Sequence, residues 1–475
     1  MFKKKPNPPG YMTTLGERKS YWWYFVGQNA YYYISATFLS TYLAMQGVDL
    51  TKIALVLLVV KVWDAINDPL FGFIFDKVKF KNGLKSLPWL RFSVALMPIV
   101  TIAMFSIPGF LDETGKLIWF GLTYILWDSV YTLTDAPAYA MLNTMTDNLQ
   151  ERTELLSINR IYSGIGQAIA GLLLTVLISE SVGLSATWSV VLVAVFSTGV
   201  MIPLCVNCKE RNYNPDAQEE NFTFRQMWNY LKNNKYLLIY YGGYCAMDAL
   251  KTSAAVGLFA SFYLFGSATF NMVLGFVAAV PGFIAAAIAP KLVQRFDKMK
   301  TLMVCNLINV ILGFAIFFCG WQNPTLVIIL TVLRAAPASI QGVLAFMFTP
   351  DCAEYGRYKS GVSATGITFA IQTFSVKITG AISSSLALAL LGLFSWISVE
   401  AESFAELEAM GIQQSTGALN GLWFVYAMVP VIGMAISAVF FLFYHLNDKD
   451  VQIMAKCNSG EITREEAEKL LSRKY

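Results

Sequence analysis

Histidine occurs once in 475 residues, at His445, and charged side chains make up only 14% of the chain. One histidine leaves no material for a His-rich metal site or a Ser-His-Asp triad. Soluble domains carry about 25% charged residues, so this chain has too little polar surface to coat several of them. A net charge of +4 makes no basic face for nucleic acid. The seven cysteines include one Cys-x-x-Cys, Cys205 to Cys208, with no second pair and no histidine nearby. A zinc or redox centre is therefore not expected, and reduced thiols are. No phosphate loop or dinucleotide fingerprint follows a strand. No enzyme is expected, and no cofactor beyond a coupling ion. What the chain has in quantity is apolar: 56% of residues are hydrophobic, with length for about a dozen spans of ~20 residues. The expected class is an all-α polytopic membrane protein.

The apolar runs predict twelve helices, at 21–46, 52–76, 88–111, 116–143, 155–179, 185–207, 236–265, 270–291, 300–320, 324–350, 360–396 and 420–446. The long polar stretch 208–235 divides them. The expected organisation is an N-terminal six-helix bundle (1–207), a central loop (208–235), a C-terminal six-helix bundle (236–447) and a tail (448–475). Of 35 Lys and Arg residues, 28 fall on the side of the two termini, which the positive-inside rule places in the cytoplasm of a cell-membrane protein. The largest loop of the other side is acidic, with Glu400, Glu402, Glu406 and Glu408. Trp22, Trp23 and Tyr24 are expected as an interfacial belt, and Tyr31 to Tyr33 as faces for a part-apolar ligand. Thr463 and Glu466 predict a capped amphipathic helix in the tail.

Displacing the sequence by 221 residues lays Pro69 on Pro290, Phe75 on Phe296, and Asp76-Lys77-x-Lys79 on Asp297-Lys298-x-Lys300. Two similar halves suggest a pseudo-symmetric transporter. The mismatches are as informative: Lys61, Asp64 and Asp68 fall on Gly282, Ala285 and Ala289. The fold does not need the acidic pair, so function does.

Lys61, Asp64 and Asp68 share a face of helix 2, with Asn67 beside it; Asp128, Thr132, Asp135 and Tyr139 share a face of helix 4. A charge at the bilayer centre costs about 2.5–3.5 kcal/mol on the insertion scale, so such residues are retained for function. Two carboxylates one turn apart repel strongly. Their site must take up a proton or small cation, or recruit Lys61 or Lys377. Carboxylate, amide and hydroxyl oxygens are hard ligands suited to an alkali ion.

The motif WDAINDP at Trp63–Pro69, followed by Gly72, and TDAPAY at Thr134–Tyr139 resemble the glycoside–pentoside–hexuronide:cation symporters of the major facilitator superfamily, the melibiose-permease-like carriers. Asp351-Cys-Ala-Glu354-Tyr-Gly356 and Gln372-Thr373-x-x-x-Lys377 fit that family's second half. The resemblance implies a cation site for Na+, Li+ or H+ at Asp64, Asn67, Asp68 and Thr132. It implies sugar contacts at Asp135, Arg160 and Lys377, with Gln372 and Thr373 one turn above the lysine. There are departures. Gln28-Asn29 replaces the family's Lys-Asp pair, Tyr139 its stacking tryptophan, and Asp128 a glycine.

The expected function is cation-coupled symport of a sugar, glycoside or hexuronide by alternating access, in a monomer that meets only its substrate and membrane lipid. Arg152, Asp351, Glu354 and Arg357, with the loops Asp76–Lys85 and Asp297–Lys300, are expected to form inward-side ion pairs that break on opening. The alternatives are a sodium-dependent lipid carrier of the same fold, a membrane enzyme, for which no catalytic motif appears, and a sensor that binds without carrying.

Overall fold

Helix starts in this chain are set by oxygen-bearing side chains. The computed structural model describes residues 7, 10–78, 80, 83–211, 224–361 and 365–475. Thr14 and Glu17 form a reciprocal box that opens α1 (Leu15–Tyr33). Asp49 caps α2 (Leu50–Lys77) through the amides of Thr51 and Lys52. α3 (Leu87–Met104) has no side-chain cap of its own. Glu210 serves instead, accepting from the amides of Lys85, Ser86 and Leu87 at 2.8, 2.8 and 2.6 Å. Asp112, Asn148 and Ser185 cap α4 (Glu113–Met145), α5 (Leu149–Ile178) and α6 (Ala186–Asn207).

The second half continues with α7 (Lys235–Ala249), α8 (Phe270–Phe296), α9 (Lys298–Cys319), α10 (Pro324–Leu344), α11 (Thr365–Leu393) and α12 (Val429–Leu442). Here the structure departs from the expected rods. Helix 7 breaks after Ala249 and resumes as Ser253–Phe265; helix 10 stops at Leu344 and restarts as Phe348–Ser360. α1 passes through a π-helical turn at Ile34–Phe38 before Leu39–Ala44, and a second π turn, Phe424–Met428, joins Thr416–Trp423 to α12. The breaks answer one another, because Thr252 at the helix-7 gap donates to the carbonyl of Val425 inside the π turn at 2.5 Å.

Among the described residues, eight helical stretches are long and apolar enough to cross a membrane, by length and composition alone. α2 and α4 are not among them, since both carry intramembrane charge.

The chain forms two compact units. In the first, α1 packs against α5 and α6, α2 against α4, and α3 against α4 and α6. In the second, α7 packs against α11 and α12, α8 against α10, and α9 against α10 and α12. Adding six to each number turns one pattern into the other, which is the three-dimensional form of the 221-residue repeat. Close backbone approach makes the α1 contacts. A Cβ on Gly166 of α5 would lie 2.2 Å from the carbonyl oxygen of Val26, and one on Gly27 of α1 would lie 2.3 Å from that of Ser197. Small residues at such crossings let membrane helices pack tightly.

Sequence order and packing disagree at the outer loops. The first unit takes in Ser267–Thr269 and Trp396–Gln414, which the expected boundary of 236 assigns to the C-terminal bundle. Polar pairing explains this. Ala401 N donates to Met45 O at 3.0 Å, Ala186 N to Glu402 O at 2.7 Å, and Lys116 meets Glu400 at 2.6 Å. Glu180 likewise accepts from Ala268 N at 2.7 Å. The chain enters these segments through left-handed residues, Gly266 (φ 79°) and Ser395 (φ 57°).

The tail folds into two helices, Asp448–Ser459 and Arg464–Leu470, the second with the Thr463–Glu466 box expected for it. Met454 and Ala467 are fully buried. Asp450 ties the end down, accepting from Ser472 N (3.0 Å), Ser472 Oγ (2.5 Å), Tyr475 OH (2.5 Å) and Asn447 Nδ2 (2.8 Å). Burial pushes the Asp450 carboxyl up, but these donors outweigh it and hold the group below its ordinary value. A depressed carboxylate stabilises the docked tail above its unfolded pKa, and that contribution is lost as pH falls through the folded value. Asp450→Ala is therefore expected to leave the bundle intact and raise the rate of tryptic cleavage at Lys456 and Arg464 by about tenfold, as read by gel. Unchanged cleavage would mean that the four donors do not secure the tail.

Candidate functional site

The first cluster lies where α2 crosses α4. Trp63 Nε1 donates to Ser129 Oγ at 3.3 Å and keeps the helices in register. One turn further, Asn67 is fully buried; its Nδ2 donates to Asp128 Oδ2 at 3.0 Å and to Thr132 Oγ1 at 2.9 Å. Thr132 in turn gives its proton to the carbonyl of Asp128 at 3.1 Å. Asp64, Asp128 and Thr132 are all buried. The Lys61 ammonium lies 5.0 Å from the centre of the Tyr124 ring, hydrogen-bonds with its hydroxyl, and is within electrostatic reach of Asp64 and Asp128. Asn67 Oδ1 alone in this group has no donor although it is buried. A buried carbonyl oxygen without a partner is costly, and this one belongs to the residue whose Nδ2 binds the Asp128 carboxylate and the Thr132 hydroxyl. Such a donor set fits a small hard cation. The side chain of Asp68 lies outside the described residues; its backbone continues α2.

The second cluster joins α1, α4 and α5. Gln28 Nε2 donates to Asp135 Oδ1 at 2.6 Å and to Tyr131 OH at 2.9 Å. Asn29 Nδ2 donates to Gln28 Oε1 (2.8 Å) and to Ser163 Oγ (3.0 Å), while Asn29 Oδ1 accepts from Gln167 Nε2 at 3.1 Å. Ser163 reaches Asn159, which hydrogen-bonds with Tyr139. Tyr139 is 45% exposed and its ring packs on Phe25 at 5.1 Å. Arg160 is exposed beside it and in electrostatic reach. The result is a belt of neutral amides and hydroxyls around one carboxylate, a surface with donors and acceptors for a polyol.

Four belt members, Tyr131, Asn159, Ser163 and Gln167, were not singled out by motif. A signal was present: Asn159, Ser163 and Gln167 make an i, i+4, i+8 polar stripe in an otherwise apolar span. The aromatic expectations divide. Trp22 and Tyr24 are buried in the bundle, with Trp22 Nε1 on the Leu155 carbonyl and Tyr24 OH on that of Thr134, so only Trp23 suits an interfacial belt. Tyr31 is likewise fully buried, its hydroxyl on Ala194 O and Thr198, whereas Tyr32 is exposed.

The residues expected from the second half stand in the second unit. Gln372 accepts from Thr349 Oγ1 at 2.5 Å and from Tyr241 OH at 3.4 Å. Thr373 is exposed and bonds back to Phe369 O, and Lys377 is half-buried one turn on. Asp248 accepts from Thr379 Oγ1 at 2.7 Å, so α7 and α11 share a charge. The gate residues have partners inside their own units: Arg152 with Asp147 (3.4 Å) and the Thr146 carbonyl, Asp351 with Lys298, and Glu354 with Asn458 at 2.7 Å. Arg357 is exposed. Cys205 and Cys208 are unbridged and buried; burial pushes the Cys208 thiol up to about 12, which suits neither a thiolate ligand nor a redox nucleophile.

Charged and polar clusters sunk into two repeated helical bundles define a solute carrier. The family of MFS/sugar transport proteins matches residues 24–448, and the chain belongs to it. It is a multi-pass membrane transporter of the major facilitator superfamily, not an enzyme, and the expected resemblance to glycoside–pentoside–hexuronide carriers stands. It is 24% identical over 439 residues to the isoprimeverose transporter of Lactiplantibacillus pentosus, covering 89% of this chain and 88% of that one. To the glucuronide carrier protein homolog of Escherichia coli (strain K12) it is 26% identical over 437 residues, covering 89% and 91%. Among solved structures, the nucleoside transporter NupG superposes with a TM-score of 0.60 at 14% identity, over 90% of this chain and 100% of that one, which shows the fold.

Proposed function

We propose that this chain is a cation-coupled importer of a glycoside or hexuronide that works by alternating access, as a monomer with both termini in the cytoplasm. The observation that carries the coupling is the Asn67 amide oxygen, buried and without a donor, on the residue that bonds Asp128 and Thr132 through its nitrogen. A proton needs only a carboxylate; a neutral oxygen held in reserve is a ligand for an alkali ion. With Asp64, Asn67, Asp68 and Thr132 around the cation, the α2 cluster is neutralised, and Asp135 offers its carboxylate to sugar hydroxyls. Each ligand then favours the other by the same factor, as linkage requires.

The belt supports a substrate with many hydroxyls and little positive charge. Gln28 and Asn29 supply amides where the resembled carriers have a charged pair, and exposed Arg160 is available to a uronate. The named substrates of the two relatives, a pentose-containing disaccharide and glucuronides, are the probes to use. In proteoliposomes, labelled isoprimeverose or methyl glucuronide is expected to accumulate under an inward sodium gradient and not when choline replaces sodium. Asp68→Asn is expected to abolish that accumulation; sodium-driven accumulation equal to wild type would remove the cation reading. One feature favours the lipid-carrier alternative, an apolar groove on α8 and α10 lined by Pro281, Ile284, Ile288 and Ile340. Competition of sugar uptake by lysolipid would decide for it.

A further inference from the structure

Asp128 is where this chain departs from the pattern it resembles, in which a glycine stands one turn before the α4 threonine. Its Oδ2 accepts from Asn67 Nδ2, and Thr132 Oγ1 accepts from the same nitrogen. Both amide protons are thereby committed to α4. An amide is planar, so an NH2 group held on one side leaves its oxygen on the other. That oxygen is Asn67 Oδ1, the buried atom without a donor. Thr132 alone, with a single acceptor oxygen, leaves the amide able to turn and spend its oxygen elsewhere. Two acceptors on one helix fix it.

The same carboxylate bears on Lys61. The ammonium feels both Asp64 on its own helix and Asp128 across the interface, and Tyr124, one turn before Asp128, holds it against α4. Among the described residues, Lys61 and Asp64 of α2 are charged groups that share the surroundings of Tyr124 with Asp128.

We propose that Asp128 is a positioning residue for the coupling ion. It holds the Asn67 amide with its oxygen turned toward an alkali cation. This rests on the cation reading above. Asp128 is not itself required as a ligand; it acts through Asn67.

The test is a titration of purified full-length protein with sodium chloride against choline chloride at fixed ionic strength, read by thermal stability. Wild type is expected to gain stability with sodium. Asp128→Gly, which restores the residue of the resembled pattern, is expected to need about tenfold more sodium for half the effect, as loss of a ligand's supporting hydrogen bond does in metal sites. Asp128→Asn keeps an acceptor for the amide and is expected to stay within about threefold of wild type. In an Asn67→Ala background the glycine substitution is expected to add less than about a twofold further loss, because the amide it positions is gone. Equal half-saturating sodium in wild type and Asp128→Gly overturns the proposal, and so do losses that multiply in the double variant. A wild-type protein that responds to neither sodium nor lithium overturns the cation reading itself, a different result from either.

Discussion

Asp135→Ala is expected to lower sugar affinity by at least about thirtyfold while leaving the sodium response of the protein within about threefold of wild type. Asp135 is the one carboxylate of the α1–α4–α5 belt among the described residues, and Gln28 already aims a donor at it over 2.6 Å. A carboxylate oxygen accepts two sugar hydroxyls more strongly than any neutral belt member can, since charge-assisted bonds are about twice as strong as neutral ones. Removing it also takes one of the two acceptors from Gln28 Nε2, leaving the bond to Tyr131 OH. Methyl glucuronide or isoprimeverose binding to purified protein, by calorimetry or competition, measures the loss; the sodium titration run beside it separates a sugar defect from a collapsed bundle. Affinity within threefold of wild type would take Asp135 out of the substrate site and shift attention to Arg160 and the second unit.

Gly166→Val is expected to prevent stable folding, the largest structural effect of any single change considered. The new Cβ would sit 2.2 Å from the Val26 carbonyl oxygen and 2.9 Å from two more backbone atoms of that residue. Overpacking ordinarily costs about 1–3 kcal/mol because side chains give way. Here the obstacle is the α1 backbone, and α1 has no room to retreat, since Gly27 already brings it against α6. Fluorescence-detected size exclusion should show aggregate or no peak. Gly164→Val is the control two residues away: nothing lies within 4 Å of its Cβ, so a monodisperse peak is expected. Equal behaviour of the two variants would refute the close crossing.

Much of this was legible in the chain before any coordinates. The apolar runs located the helices because each must satisfy its own backbone in lipid, and the charges left inside them marked α2 and α4. Spacing alone could say that Asp64 and Asp68 share a face of α2 with Asn67 beside it, and that Asp128 and Thr132 share a face of α4. It could not say that the Asn67 amide divides its protons between Asp128 and Thr132, because that depends on how two helices meet. Gly166 shows the same limit. Gly164, Ala168 and Gly171 fit a small-residue pattern equally well, yet Gly164 faces open space and Ala168 is exposed, while Gly166 bears the crossing. The π turns and the gap before Thr252 had no sequence signature, since a backbone that trades hydrogen bonds between distant segments leaves no periodic trace.

The outer loops carry a lesson for anyone splicing such carriers. Residues 396–414 are encoded with the second half but are pinned to the first by Met45, Lys116 and Ala186. A chimera cut at the central linker would therefore ask one parent's loops to recognise the other parent's bundle. Crossovers drawn at Gly266 and Ser395, with both loops travelling alongside the amino-terminal half, would keep each set of mates together.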